Sequence, residues 1–268
     1  MPDPTLGERL LTAVTDVQFL LYLGLSLLGI LVFFLARGRV RQWVRYGLLA
    51  ASLAVLGFYF GGCPCPVGSA TKLPTLFTSP ALHLLPLFLF LVPTVIALFA
   101  GRIFCGWVCP LGAVQEFLGR LGLRKQSVPA RVDRPLRFLK YGFLLALVAV
   151  GVLGIRFRWQ DYDPFRAIFT FSGTWIAIGL AVFVGGLSLV VYRPWCRYAC
   201  PLGAVLAVAS RVGLGRSLVD AEACVGCKLC ARACPMDAIR TKDRSARVTG
   251  EYIRCGDCGR VCRRNAIG

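Results

Sequence analysis

Apolar residues run almost uninterrupted in five places along the chain, near 17–36, 45–61, 81–100, 138–155 and 173–192. A helix needs about 20 such residues to cross the hydrocarbon core of a bilayer, so each run predicts a membrane span; the second is the shortest. The first run is not read as a cleaved leader. Asp3, Glu8 and Asp16 precede it with only Arg9, and arginines follow it instead of a small-residue cleavage site. From Leu218 onward the pattern changes, and charge and cysteine replace the apolar runs. The expected architecture is an N-terminal segment (1–16), an all-α polytopic membrane domain of about five helices (17–215) and a small α+β domain (216–268).

Composition supports a bilayer-embedded chain. Hydrophobic residues make up 57% and charged residues 16%, against about 25% charged in soluble domains, and the mean hydropathy is +0.68. With 31 Lys+Arg against 13 Asp+Glu the formal charge is +18, which raises the question of nucleic acid. The location of the charge answers it. Arg37, Arg39, Arg41 and Arg45 lie between the first two spans, eight basic residues lie between 101 and 140, and fourteen follow residue 192. All other segments together hold five. By the positive-inside rule the three rich segments are cytoplasmic and the N-terminus is outside. The charge is thus mainly a topology signal, and no groove-reading or base-stacking module accompanies it. A single histidine, His83, and the absence of a C-x-x-C-H site exclude a bis-histidine or c-type cytochrome built from this chain alone.

Thirteen cysteines exceed what packing needs. Two segments 91 residues apart match closely: Arg102-Ile-Phe-Cys105-Gly-Trp-Val-Cys109-Pro110-Leu-Gly-Ala-Val114 and Arg193-Pro-Trp-Cys196-Arg-Tyr-Ala-Cys200-Pro201-Leu-Gly-Ala-Val205. The match extends to Arg120 and Arg211. Each copy follows a span, and each proline suits the first turn of a new helix, where a missing N–H costs nothing. Leu111, Val114, Phe117, Leu118 and Leu121 then predict a helix lying at the interface, with Glu116 on its solvated side. Four thiolates from two such motifs form a candidate metal site at Cys105, Cys109, Cys196 and Cys200, for an iron–sulfur cluster or zinc. Redox-active dithiols and buried structural thiols are the other readings. A shorter cluster, Gly61-Gly-Cys63-Pro-Cys65-Pro, sits on the outer side as an oxidised pair, a metal or redox site, or turn chemistry. His83 reads as a headgroup-level residue, and Asp161 and Asp163 as part of an outer loop.

The C-terminal segment reads Cys224-Val-Gly-Cys227-Lys-Leu-Cys230-Ala-Arg-Ala-Cys234-Pro235. This is the bacterial ferredoxin run C-x2-C-x2-C-x3-C-P, in which three thiolates hold one cluster and the fourth crosses to the other. The second half, Tyr252-Ile-Arg-Cys255-Gly-Asp-Cys258-Gly-Arg-Val-Cys262-Arg263, places Tyr252 where the first cysteine belongs. Cross-ligation assigns Cys224, Cys227, Cys230 and Cys262 to one [4Fe-4S] cluster and Cys234, Cys255 and Cys258 to a second. Tyr252, water or an outside ligand completes the second, or it is a three-iron or labile cluster, or it is absent. Cluster binding should supply much of the folding energy of so small a module.

On Phe104-Cys-Gly-Trp-Val-Cys-Pro110, Trp195-Cys-Arg-Tyr-Ala-Cys-Pro201 and the paired ferredoxin motifs, in that order, residues 46–268 resemble the NapH/NosR/CcoG-like family of membrane-bound 4Fe-4S polyferredoxins. The resemblance implies a multi-pass protein of the bacterial inner (cytoplasmic) membrane with two [4Fe-4S] clusters in a cytoplasmic domain. It also implies electron transfer between quinol or a cytoplasmic donor and a periplasmic partner. The extra first span, the Cys63/Cys65 pair and the missing eighth ferredoxin cysteine depart from the pattern. The expected function is therefore an electron-transfer subunit with the lipid bilayer, quinone and redox proteins on one or both faces as partners. The competing expectation is a metal-assembly or redox-sensing factor.

Overall fold

The computed structural model describes residues 17–35, 38–61, 84–121, 128–153, 161–213, 219–242 and 245–267. Helix α1 is Val17–Leu35. Helix α2, Gly38–Ser52, continues through a π-helical stretch, Leu53–Tyr59. Then come α3 (Leu84–Ala100), the single turn α4 (Ile103–Trp107) and α5 (Pro110–Leu121). Helix α6 is Ala130–Val152, α7 is Pro164–Thr170 and α8 is Trp175–Val190. A π-helical turn, Trp195–Ala199, leads into α9, Pro201–Val212. Both motif prolines open helices.

By length and composition α1 and residues Arg131–Val152 of α6 can each cross a membrane; α7 and α8 make a third candidate if they are one span, broken by 96°. The run expected at 45–61 falls in α2 and its π-helical continuation, and that at 81–100 gives the shorter α3. Large apolar side chains such as Leu31, Phe34, Leu145 and Val182 point outward from these helices, as they must where the solvent is lipid. The inward stripe of α1 is Phe19, Tyr22, Ser26, Gly29 and Phe33, three or four residues apart as a helix requires. It packs on the first cysteine motif: the Phe33 ring stands edge-on to Trp107 at 5.9 Å, and a Cβ on Gly29 would lie 3.2 Å from Val108.

The two repeats interlock. Helix α5, which follows the first motif, packs on α8, the helix preceding the second; α9, which follows the second, packs on α3, the helix preceding the first. Close approach is built in, since a Cβ on Gly119 would lie 3.1 Å from Ser188 O. This arrangement corrects the expectation for α5. It is not an interfacial helix with a solvated face, because Gln115 and Glu116 are 1% and 0% exposed. The neighbouring repeat covers the face that faces solvent in an isolated amphipathic helix.

The C-terminal module contains α10 (Leu229–Ala233), the antiparallel pair β1 (Ile239–Lys242) and β2 (Ser245–Val248), and α11 (Asp257–Val261). Ile239 pairs with Val248 and Lys242 with Ser245; Val219 bridges to Ile267. Its two-fold repetition is legible in the backbone. Gly226, Lys228 and Asp237 have positive φ in the first half, and Arg254, Gly256 and Asn265 have it at the matching positions of the second. Asp and Asn tolerate this region better than most residues, which suits the shared turn after the last cysteine of each half.

Candidate metal centres

The structure gathers eleven cysteines into three groups. Cys224, Cys227, Cys230 and Cys262 line a cavity of about 390 Å³ that also touches Lys228, Arg263 and Arg264. Cys227 is exposed and the other three are half-buried. Burial, and after it the neighbouring thiols of Cys262, Cys224 and Cys227, push Cys230 up.

Cys234, Cys255 and Cys258 form the second group, all buried. Burial is the main cause that pushes Cys255 up to about 12, and Cys234 and Cys258 up to about 11. The Tyr252 hydroxyl lies 2.9 Å from Cys258 Sγ, inside this group. Burial first, then Cys258, raises the phenol above its ordinary range. The tyrosine at the vacant cysteine position therefore occupies it in space as well as in sequence.

Cys105, Cys109, Cys196 and Cys200 form the third group, all buried. The first cysteine of each motif sits in a short turn, α4 or the Trp195–Ala199 turn, and the second directly precedes its proline. Gly203 N donates to Cys200 Sγ at 3.3 Å. Burial and then Cys196, Cys105 and Cys200 drive Cys109 well above the ordinary thiol range. Such thiols give up their protons only to a bound cation or cluster. Among the described residues no three His, Cys, Asp or Glu side chains converge tightly enough to hold a single metal ion. Sets of three or four thiolates have the donor chemistry of an iron–sulfur cluster or of zinc.

Polar groups around the third site suit an anion. Arg102 reaches from the first motif into the turn of the second, and Arg193 from the second into the first. A Cβ on Gly112 would stand 2.6 Å from Arg193 Nη1, and one on Gly203 would stand 3.1 Å from Arg102 Nη2. Hence Pro-Leu-Gly in both copies: the glycine leaves room for the guanidinium. Arg193 Nη1 donates to Cys105 O. Arg102 Nε and Nη2 and Arg193 Nε are buried without a hydrogen-bond partner, which leaves donors for cluster or cysteinyl sulfur. Gln115 Nε2 donates to Cys196 Sγ at 3.3 Å.

The second group and the third meet through backbone. Trp107 Nε1 donates to Arg254 O at 3.1 Å, and Gln42 Nε2 to Cys255 O at 3.2 Å. A Cβ on Gly106 would overlap Ile253 O. On the second motif, Arg197 pairs with Asp237 and Asp133 at 2.7 Å, and the Tyr198 hydroxyl donates to Asp133 at 2.8 Å.

Glu116 is not the solvated residue expected. It accepts from Arg45 and Arg193 at 2.5 Å, from Tyr192 at 2.8 Å and from Arg120 at 3.4 Å. Burial would raise its carboxyl, but Arg193 and Arg45 prevail and hold it at about 2. Asp163 caps α7 by accepting from Phe165 N at 3.0 Å. Cys63, Cys65 and His83 lie outside the described residues. Spacing alone did not mark Arg102, Arg193, Gln115 or Glu251; the signal available was an arginine at the same place in each repeat and a Gln-Glu pair inside an otherwise apolar helix.

Comparison with known proteins finds 4Fe-4S binding families. Residues 82–129 and 172–218, one for each motif, match a family model described as a 4Fe-4S binding domain. Residues 218–240 match a second model of that description. The regulatory protein NosR of Pseudomonas aeruginosa is 34% identical over 240 residues, 83% of this chain and 33% of that protein. An uncharacterized protein of Methanocaldococcus jannaschii is 34% identical over 66% of this chain and 75% of its own length. The ferredoxin-type protein NapH of Haemophilus influenzae is 29% identical over 91% and 87%. The chain thus spans about a third of NosR and most of NapH. No solved structure matches. The chain belongs to the family of membrane-bound, ferredoxin-type 4Fe-4S electron-transfer proteins.

Proposed function

We propose that the protein carries electrons between a redox partner at the cytoplasmic face and one across the membrane, through three iron–sulfur sites in series. Cys224, Cys227, Cys230 and Cys262 hold the first [4Fe-4S] cluster. Cys234, Cys255 and Cys258 hold the second beside Tyr252, and Cys105, Cys109, Cys196 and Cys200 hold a third. Clusters, when bound, supply one-electron chemistry at potentials set by charge, burial and hydrogen bonds to sulfur. The chain orders the sites by burial. Cys227 is open to solvent, while the second group lies against the first motif through the Ile253–Cys255 backbone. That continuity, from an exposed thiol group to a buried pair of interlocked motifs, carries the reading. Five spans, a cytoplasmic C-terminal module and an outer N-terminus are the topology that the Lys/Arg distribution supports.

Lys228, Arg232, Arg260, Arg263 and Arg264 are exposed on the module that carries the first group, so an acidic redox protein is the partner we assign to this face. Quinol is the candidate donor from the lipid side. The test is iron and sulfide content of anaerobically purified protein with EPR before and after dithionite. About twelve irons per chain, three cubanes, is the expected result. A content of about eight that is unchanged in a Cys105→Ser/Cys196→Ser variant would reduce the wire to the C-terminal module and overturn the third site.

A further inference from the structure

Two charge triads flank the third site, and they are built alike. In one, Glu116 pairs with Arg45 and Arg193, both at 2.5 Å, with all three side chains fully buried. In the other, Glu251 pairs with Arg102 at 2.8 Å and Lys140 at 2.5 Å, with the cations fully buried and the carboxylate 4% exposed. Arg102 and Arg193 are the matching residues of the two repeats. The two carboxylates come from different parts of the chain. Glu116 stands on α5, but its counterpart on α9 is Ala207. The C-terminal module fills that place: a Cβ on Gly250 would lie 2.6 Å from Ala207 O, and the next residue is Glu251.

Each carboxylate thus serves two buried cations, and each triad keeps one positive charge in surplus. Arg120 also reaches Glu116, but its side chain is 42% exposed and water screens it. The nearby Arg137, Arg197, Asp133 and Asp237 balance one another. Leaving a buried charge uncompensated is strongly destabilising, so the two surplus charges call for a buried anion. Neutral thiols or disulfides at Cys105, Cys109, Cys196 and Cys200 do not supply it. An oxidised [4Fe-4S] cluster with four thiolates is a dianion. One-electron reduction, with the electron taken from the neighbouring ferredoxin cluster, makes it a trianion.

Resting on the proposed third site, we infer that Arg102 and Arg193 are positioning residues that cradle its cluster and raise its potential, and that Glu116 and Glu251 meter that positive charge. The site is therefore tuned to accept electrons from the C-terminal module, and docking of that module through Glu251 completes the tuning.

The test is an EPR-monitored redox titration of the anaerobically purified protein, following the signal that Cys105→Ser/Cys196→Ser abolishes. Arg193→Gln should shift its midpoint downward and Glu116→Gln should shift it upward, while Arg240→Gln, at an exposed position, should leave it in place. Damage to structure alone would not give opposite signs. Should Arg193→Gln fail to accumulate, Glu116→Gln and Glu251→Gln decide, both with upward shifts expected. Midpoints that stay put or move downward in the glutamate variants would overturn the inference. Absence of any signal dependent on Cys105 and Cys196 in the unmodified protein would instead overturn the third site itself.

Discussion

Tyr252 shows how one side chain sets the character of a site. Its phenol lies 2.9 Å from Cys258 Sγ in the buried second group, where beside a thiolate ligand the O–H is the only donor of the pair. Hydrogen bonds to cluster sulfur raise potential. We expect Tyr252→Phe to keep its iron and lower the midpoint of the second cluster, whereas Tyr252→Cys completes a four-thiolate set and changes the EPR line shape. Loss of iron in Tyr252→Phe would make Tyr252 a ligand instead. Gly106 is the complementary case, a residue whose value is the side chain it lacks. Ile253 O occupies the space of a Cβ, so Gly106→Ala must push the Ile253–Cys255 backbone away. A cost of about 1–3 kcal/mol is ordinary for overpacking. The expected readouts are faster proteolysis of the C-terminal module and slower reduction of the third site, with the first cluster unaffected.

Among the elements, α5 carries the main departure from its own periodicity. Its apolar stripe predicts a helix lying at the interface with Glu116 on the wet side, yet the Glu116 side is covered by α2 and the second motif while Leu121 at the end of the stripe stays exposed. The acid response of this helix follows with a definite sign. The Glu116 carboxyl is depressed from an ordinary value of 4.5 to about 2. The stability it contributes is therefore fully present above about pH 4.5 and is lost as pH falls from there toward 2. Helical circular dichroism of the detergent-solubilised protein should hold to about pH 5 and decline below, and Glu116→Gln should flatten that decline while lowering stability at neutral pH. The reciprocal packing of α5 on α8 and α9 on α3 also means that neither repeat completes its fold alone. The arginine of each motif finds its place only in the turn of the other.

For the molecule as a whole, the basic residues fall into two sets. Basic residues on the C-terminal module face solvent around the first thiol group, while those at the motif edges are buried against Glu116 and Glu251. The exposed set is screened by salt and the buried set is not. Reduction of the first cluster by an acidic carrier should accordingly slow several-fold between low and physiological ionic strength. Transfer from the second to the third site should not respond. Arg263→Gln/Arg264→Gln should weaken the salt dependence, measured by stopped-flow reduction.

By itself the amino-acid sequence determined what depends on local chemistry and spacing. Apolar runs, lopsided Lys/Arg loops, prolines that open α5 and α9, and C-x2-C-x2-C-x3-C-P all act over a few residues, so they are legible without a fold. A grouping of thiols across the two ferredoxin halves follows from the sequence too, because a repeated motif implies a two-fold partner. Only the tertiary structure decided where the polar residues of the repeats go. A lone glutamate or arginine in sequence reads as solvated, since burying a charge is costly without a partner. Here the partners lie 71 to 149 residues away, on elements whose adjacency the local pattern does not encode. The exchange of Arg102 and Arg193 between motifs, and the delivery of Glu251 to the place that Ala207 leaves without a carboxylate, exist only once the helices have interlocked.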